Sequence, residues 1–165
     1  MGLDMYLSAR KYVNKIDWSI LDRSEELDYD KATIPQWTNI VEAAGLSHVA
    51  NKDDIYGVNV SVNCAYWRKV NAVHNWFVIN VQNAEDDCGE YYVPKEKIKE
   101  LLTLCRQALF TKDPNLIPPQ SGFFFGSTDI DEWYWHGIKS TIKQLSKLVE
   151  LPDFDELSFY YQSSW

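Results

Sequence analysis

The stretch WRKVNAVHNWFV, residues 67–78, sets a guanidinium, two carboxamides and an imidazole into a strongly apolar background. The imidazole of His74 belongs to the one side-chain type that titrates near neutrality, so it can serve as a general acid or base. At helical spacing Asn71 lies one turn away and is placed to orient the ring, while Arg68 supplies charge for an anionic group. A lone histidine on an apolar helical face is more often a hydrogen-bonded core residue, and both readings stay open.

The second chemistry-bearing segment is SGFFFGSTD, residues 121–129. Gly122 and Gly126 free the backbone, and Ser121, Ser127 and Thr128 add hydroxyls ahead of an expected helix. Amides at a helix N-terminus can hold phosphate or carboxylate. The glycine spacing is not that of a Walker loop, and no lysine follows Gly126. An aromatic strand followed by an ordinary helix cap explains the same residues. Downstream, DIDEWYWHG offers Asp129, Asp131, Glu132 and His136. Acids in a first turn usually answer the helix dipole; Glu132, next to Trp133, has the better claim to desolvation. His74 and Glu132 are therefore the acid–base candidates. Cys88 is a poor nucleophile candidate, because Asp86 and Asp87 surround its turn with charge of the wrong sign. Cysteine and histidine nowhere occur at metal-ligand spacing, so neither a metal nor a cofactor is expected. A ligand pocket would draw on Arg68, Asn71, His74, Trp76, Tyr91, Ser121, Gly122, Gly126, Ser127 and Trp133.

These groups need elements to hold them. Leu3, Met5 and Leu7 alternate and predict an opening strand. DWSILDRSEELDYDKATIP, residues 17–35, reads as an acidic loop, and Pro35 opens a short helix closed by Gly45. Ile55, Val58, Val60 and Val62 predict a second strand, bulged near Gly57. It leads into a central helix over 65–82, whose wide apolar arc requires cover on more than one side. DDCGEYYVP predicts a turn, a short strand and a proline stop. KEKIKELLTLCRQALF then predicts an amphipathic helix facing inward through Ile98, Leu101, Leu102, Cys105 and Leu109. After a proline-rich loop, Thr128 or Asp129 caps a last helix, with Asp131 or Glu132 reaching back. That helix should bury Ile130, Trp133, Tyr134, Ile138, Ile142, Leu145 and Val149, and expose Lys139, Lys143 and Lys147. LSFYYQSSW reads as a final strand. The sum is one α+β domain over residues 1–165: a mostly antiparallel sheet packed with three to four helices.

The 165 residues can bury a core without staples. Seven Trp, ten Tyr and seven Phe suit a tight core, an aromatic pocket or an adhesive interface. A formal net charge of −8 argues against direct nucleic-acid binding, which needs surplus lysine and arginine. No apolar run approaches the roughly 20 residues that span a bilayer, so no membrane partner is expected. Three separate cysteines and an opening unlike a signal peptide point to a reducing cytoplasm.

Five blocks in order, MGLDMYL, WRKVNAVHNWFV, CGEYYV, SGFFFGSTDIDEWYW and YQSSW, resemble a family of small proteins encoded by bacteriophages and prophages. The resemblance covers nearly the whole chain and implies an accessory protein acting in the host cytoplasm. It carries no activity that transfers residue by residue. Some relatives bear a phosphoglycerate kinase label, which does not suit a chain this short without a nucleotide motif. Two classes of function follow. One is a counter-defence binding protein that sequesters a nucleotide-like small molecule in an aromatic-lined pocket. The other is an acidic inhibitor of a host defence or nucleic-acid enzyme. A small nucleotide-processing enzyme is a third possibility, and the missing triad, phosphate loop and metal cluster favour binding over it. Oligomeric state is open.

Overall fold

In the computed structural model, residues 2–20, 32–50 and 56–165 are described. Most of the acidic segment expected as a loop, and Ile55 of the second strand, lie outside these residues. The fold is α+β, with a four-stranded sheet ordered β2-β1-β4-β3. Its strands are β1 (Asp4–Asn14), β2 (Gly57–Arg68), β3 (Glu90–Val93) and β4 (Ser158–Ser164). The helices are α1 (Pro35–Ala43), the single turn α2 (Ser47–Ala50), α3 (Asn71–Asn80), α4 (Lys95–Thr111) and α5 (Glu132–Val149). The short turn α2 brings the helices among the described residues above the three to four expected. The chain divides into two compact units, one of Met1–Arg10 with Ser61–Trp165, the other of Lys11–Val60.

In the larger unit, period-two alternation dictates the sheet. β1 pairs antiparallel with β4, from Asp4 opposite Ser164 to Arg10 opposite Ser158, and β3 pairs with the other edge of β4. Leu3, Met5, Leu7, Phe159 and Tyr161 are fully buried, and α3, α4 and α5 contribute Val73, Phe77, Ile98, Leu101, Cys105, Ile138 and Leu145 to the same core. Phe77 stacks on Tyr161 at 3.9 Å between ring centroids. The alternate residues form a polar, tyrosine-rich outer face. Tyr6 meets Tyr66, Tyr92 meets Tyr160, and the Arg10 guanidinium lies 4.2 Å above the Tyr160 ring while pairing with Glu90.

The bulge in β2 falls later than the expected position near Gly57. Asn63 accepts a hydrogen bond from Ser8, and Ser61 from Arg10, so both face outward. Tyr66 donates to Asp4, again on the outer face. Odd residues therefore point outward before Cys64 and even ones after Ala65. Cys64 and Ala65 turn inward together, the signature of one inserted residue. Beyond it Ala65 and Trp67 are buried and Tyr66 and Arg68 exposed.

The central helix thus begins at Asn71, not Ala65. AYWR alternates as readily as it spirals, and the sheet edge at β1 decides for a strand. Lys69 then takes a left-handed backbone (φ 56°), turning the chain so that Val70 precedes the helix. The expected wide apolar arc is observed: Ala72, Val73, Trp76, Phe77 and Val78 are buried, as are Asn71 and His74.

The start of α5 also moves. Asp131 is the N-cap, accepting from the Tyr134 amide at 3.0 Å, in place of Thr128 or Asp129. Starting there aligns Ile138, Thr141, Leu145 and Leu148 with the core. Trp133 falls about 100° off the line through Tyr134. It is 80% exposed and Ile130 is 43% exposed, against the expectation that both are buried.

In the smaller unit, Trp37, Val41 and Ala50 form a separate cluster with Val13, Ile34 and Val58. Pro35 occupies the first turn of α1, and Gly45 adopts the left-handed conformation (φ 68°) that ends it.

Candidate functional site

Three local events build a cleft in the larger unit. The left-handed turn at Lys69 ends β2 beside the start of α3. Asn71, buried, donates to the carbonyls of Phe125 at 3.3 Å and Ser127 at 2.8 Å, fastening the 122–127 loop to that start. Gly126, with φ of 89°, lets the loop cross the Lys69 side chain. The opening turns of α5 complete the walls. The resulting cleft has a volume of about 530 Å³ and is lined by Arg68, Lys69, Val70, Asn71, Ala72, Gly126, Ser127, Asp129, Asp131, Trp133, Tyr134, His136 and Gly137.

Its electrostatics are two-signed. Arg68 lies mostly in solvent at 3.8 Å from Asp4, and Lys69 adjoins it. Asp129 and Asp131 bring carboxylates. The Ser127 hydroxyl donates to Asp129 at 2.7 Å and accepts from the Asp129 amide at 3.0 Å, so it is not held free for a ligand. Asp131 already answers the α5 N-terminus. Phosphate recognition by these amides, expected from sequence, therefore meets the chain's own acids, and the cations at 68 and 69 are the better anion partners. Behind the wall, Tyr134 donates to the Ile117 carbonyl at 2.9 Å, and burial pushes its phenol up to about 12.

Gly137 allows α5 to approach. A β-carbon there would sit 2.8 Å from Cγ1 of Val70. Alanine gains about 1 kcal/mol of helix propensity, whereas overpacking costs about 1–3 kcal/mol, so Gly137→Ala should be destabilising on balance. Urea denaturation is the check. Val70→Ala should relieve the clash, and additive losses in the double variant would refute this account.

Of the sequence candidates, Arg68, Asn71, Gly126, Ser127 and Trp133 meet in the cleft. His74 does not line it. The ring is fully buried, with Nδ1 2.8 Å from the Tyr161 hydroxyl and Nε2 3.0 Å from Asp86, which also accepts from the Trp165 indole at 3.1 Å. Asn71, the expected orienter of the ring, bonds the loop instead. Burial, then the Asp86 charge, pushes the Tyr161 phenol well above its ordinary range, so it stays protonated. Tyr161 donating to Nδ1, with Nε2–H donating to Asp86, satisfies all three groups. The edge of the ring also meets Phe125 at 4.9 Å, so His74 supports the cleft loop from beneath.

The other expectations are corrected by packing. Trp76 is a core residue set edge-on against Phe77 at 5.3 Å. Tyr91 donates to Asp87 at 3.0 Å in the turn before β3. Ser121 and Gly122 lie outside the lining; a β-carbon on Gly122 would strike the Phe125 ring at 2.5 Å, so that glycine serves the loop's fold. Glu132 lines a neighbouring cleft. Sequence reasoning missed Asp86 and Tyr161 as partners of His74, and Lys69 as a lining cation. Tyr161 had a legible signal in its alternation with Phe159; the pairing with a residue 87 positions away had none.

Among the described residues, no group of three or more His, Cys, Asp or Glu is placed to hold a metal ion, and no helix is long and apolar enough to cross a membrane. Comparison with protein-family models, with curated proteins and with solved structures gives no match.

Proposed function

We propose that the chain is a small-molecule-binding protein whose cleft at the start of α5 takes a nucleotide-like ligand. The observation that carries this reading is the meeting of an exposed Trp133 with Arg68, Lys69, Asp129 and Asp131 around about 530 Å³. An indole face accepts a heteroaromatic ring, the cations accept phosphate, and the carboxylates accept amino or hydroxyl hydrogens. A ligand carrying all three kinds of group is a nucleotide. The likeness to phage-encoded proteins adds a setting, in which holding such a molecule without converting it would remove a host signal from circulation. Catalysis is the weaker reading, since His74 is engaged at both nitrogens and out of reach of a bound molecule.

Purified protein would be incubated with a nucleotide panel, washed, denatured, and the released molecules identified. Intact recovery of one of them, with a raised melting temperature, is expected. Trp133→Ala should weaken its binding about tenfold to a hundredfold, the range set by stacking on one aromatic face. Conversion of the ligand by substoichiometric protein would make the chain an enzyme. No retention of any panel member would leave the acidic-inhibitor reading, for which capture of a basic host enzyme is the corresponding measurement.

A further inference from the structure

A second cleft, of about 430 Å³, is lined by Lys112, Glu132, Trp133, Trp135, His136 and Lys139. Trp133 and His136 line both clefts and touch each other edge to face at 6.3 Å. Trp133, His136 and Lys139 recur every third residue along α5 and are all exposed. Lys112 ends α4 in the left-handed conformation (φ 58°) that helices usually give to glycine, and its ammonium lies 4.9 Å above the Trp135 ring. A lysine at such a position, over an indole, in a chain of net charge −8, concentrates positive charge beside a second aromatic surface.

We propose that the two clefts are halves of one site and that the ligand is a dinucleotide. One nucleotide unit occupies the first cleft, with its ring on Trp133 and its phosphate toward Arg68 and Lys69. The other occupies the second, with its ring near Trp135 and its phosphate toward Lys112 and Lys139. This rests on the proposed function and specifies the ligand class for the same site. Each half alone is a shallow, partly solvated nucleotide site; joining the units makes the second contact intramolecular, and affinity rises without any new type of contact.

The test titrates the full chain with 5′-AMP and 5′-GMP, then with the corresponding linear and 3′,5′-cyclic dinucleotides, following heat and indole fluorescence. At least one dinucleotide should bind tighter than its mononucleotide by about tenfold or more. The paired substitution Lys112→Ala with Lys139→Ala lies on exposed side chains, and it should lower dinucleotide affinity to the level of the mononucleotide. Equal affinities for both ligand sizes, or indifference of the dinucleotide to the lysine changes, would overturn the two-cleft proposal and leave nucleotide binding intact. Binding of neither size would overturn both readings together.

Discussion

Replacing His74 with alanine is expected to lower the unfolding free energy by about 3–5 kcal/mol. Two effects combine. Removing a fully buried ring leaves a cavity beside Phe125 and Tyr161. It also strips the Tyr161 hydroxyl and one oxygen of Asp86 of a partner, and a buried orphan typically costs about 1–3 kcal/mol. Against a total stability of about 5–15 kcal/mol for an ordinary domain, the variant should sit near its unfolding threshold. Urea denaturation followed by tryptophan fluorescence measures this. Tyr161→Phe, which removes only the hydroxyl, should lose about 1–2 kcal/mol. A His74→Ala loss no greater than that of Tyr161→Phe would mean that the imidazole is peripheral to the fold.

High pH should be the second strong perturbation. Burial pushes the Cys64 thiol from 9.0 up to about 11 and the Cys105 thiol from 9.0 up to about 12. It also raises the Tyr134 phenol to about 12 and Tyr161 further still. In every case the folded state keeps the proton that the unfolded chain releases. The stability they contribute is therefore complete below pH 9.0 and drains as pH climbs toward 11 and 12. For Cys105, deep in the core, the slope is about 1.4 kcal/mol per pH unit once the unfolded thiol ionises. Cys64 and Tyr134 are partly solvated and contribute less. The melting temperature should be flat through neutrality and fall steeply above pH 9.0. Cys105→Ala should make that fall shallower, whatever its effect at pH 7. An unchanged alkaline slope in that variant would remove Cys105 from the explanation.

The parts of this fold legible in the sequence are those where one short-range period decides the outcome. Leu3, Met5 and Leu7 alternate cleanly, Phe159 and Tyr161 do so at the other end, and the apolar stripe of Lys95–Thr111 has no competing reading. Residues 65–68 fit both periods, and the register against β1 chose between them. The inserted residue at Cys64–Ala65 reverses the inward parity, which no window centred on either side can register. At the site, Arg68, Asn71, Gly126 and Ser127 were legible because they carry unusual chemistry at segment ends. The removal of His74 from the cleft was not, since it depends on Asp86 and Tyr161 arriving from a turn and from the last strand. Trp133 was misjudged because it stands in the first turn of α5, where the helix has not yet met the core that buries Ile138 and Leu145 further along.

One consequence of the strand order concerns synthesis on the ribosome. The two inner strands of the sheet are β1 and β4, so Asp4–Arg10 waits for Ser158–Ser164 before its hydrogen-bonding edge is filled. At about 5–20 residues per second, that edge stays open for roughly eight to thirty seconds of translation. Leu3, Met5 and Leu7 remain exposed alongside it, an invitation to chaperones or to pairing between nascent chains on one messenger. The helices can form early, but the sheet closes only when the last strand clears the exit tunnel. Yield in the cell should therefore fall when slow codons between the two strands lengthen that interval, and recover when the same stretch is translated faster.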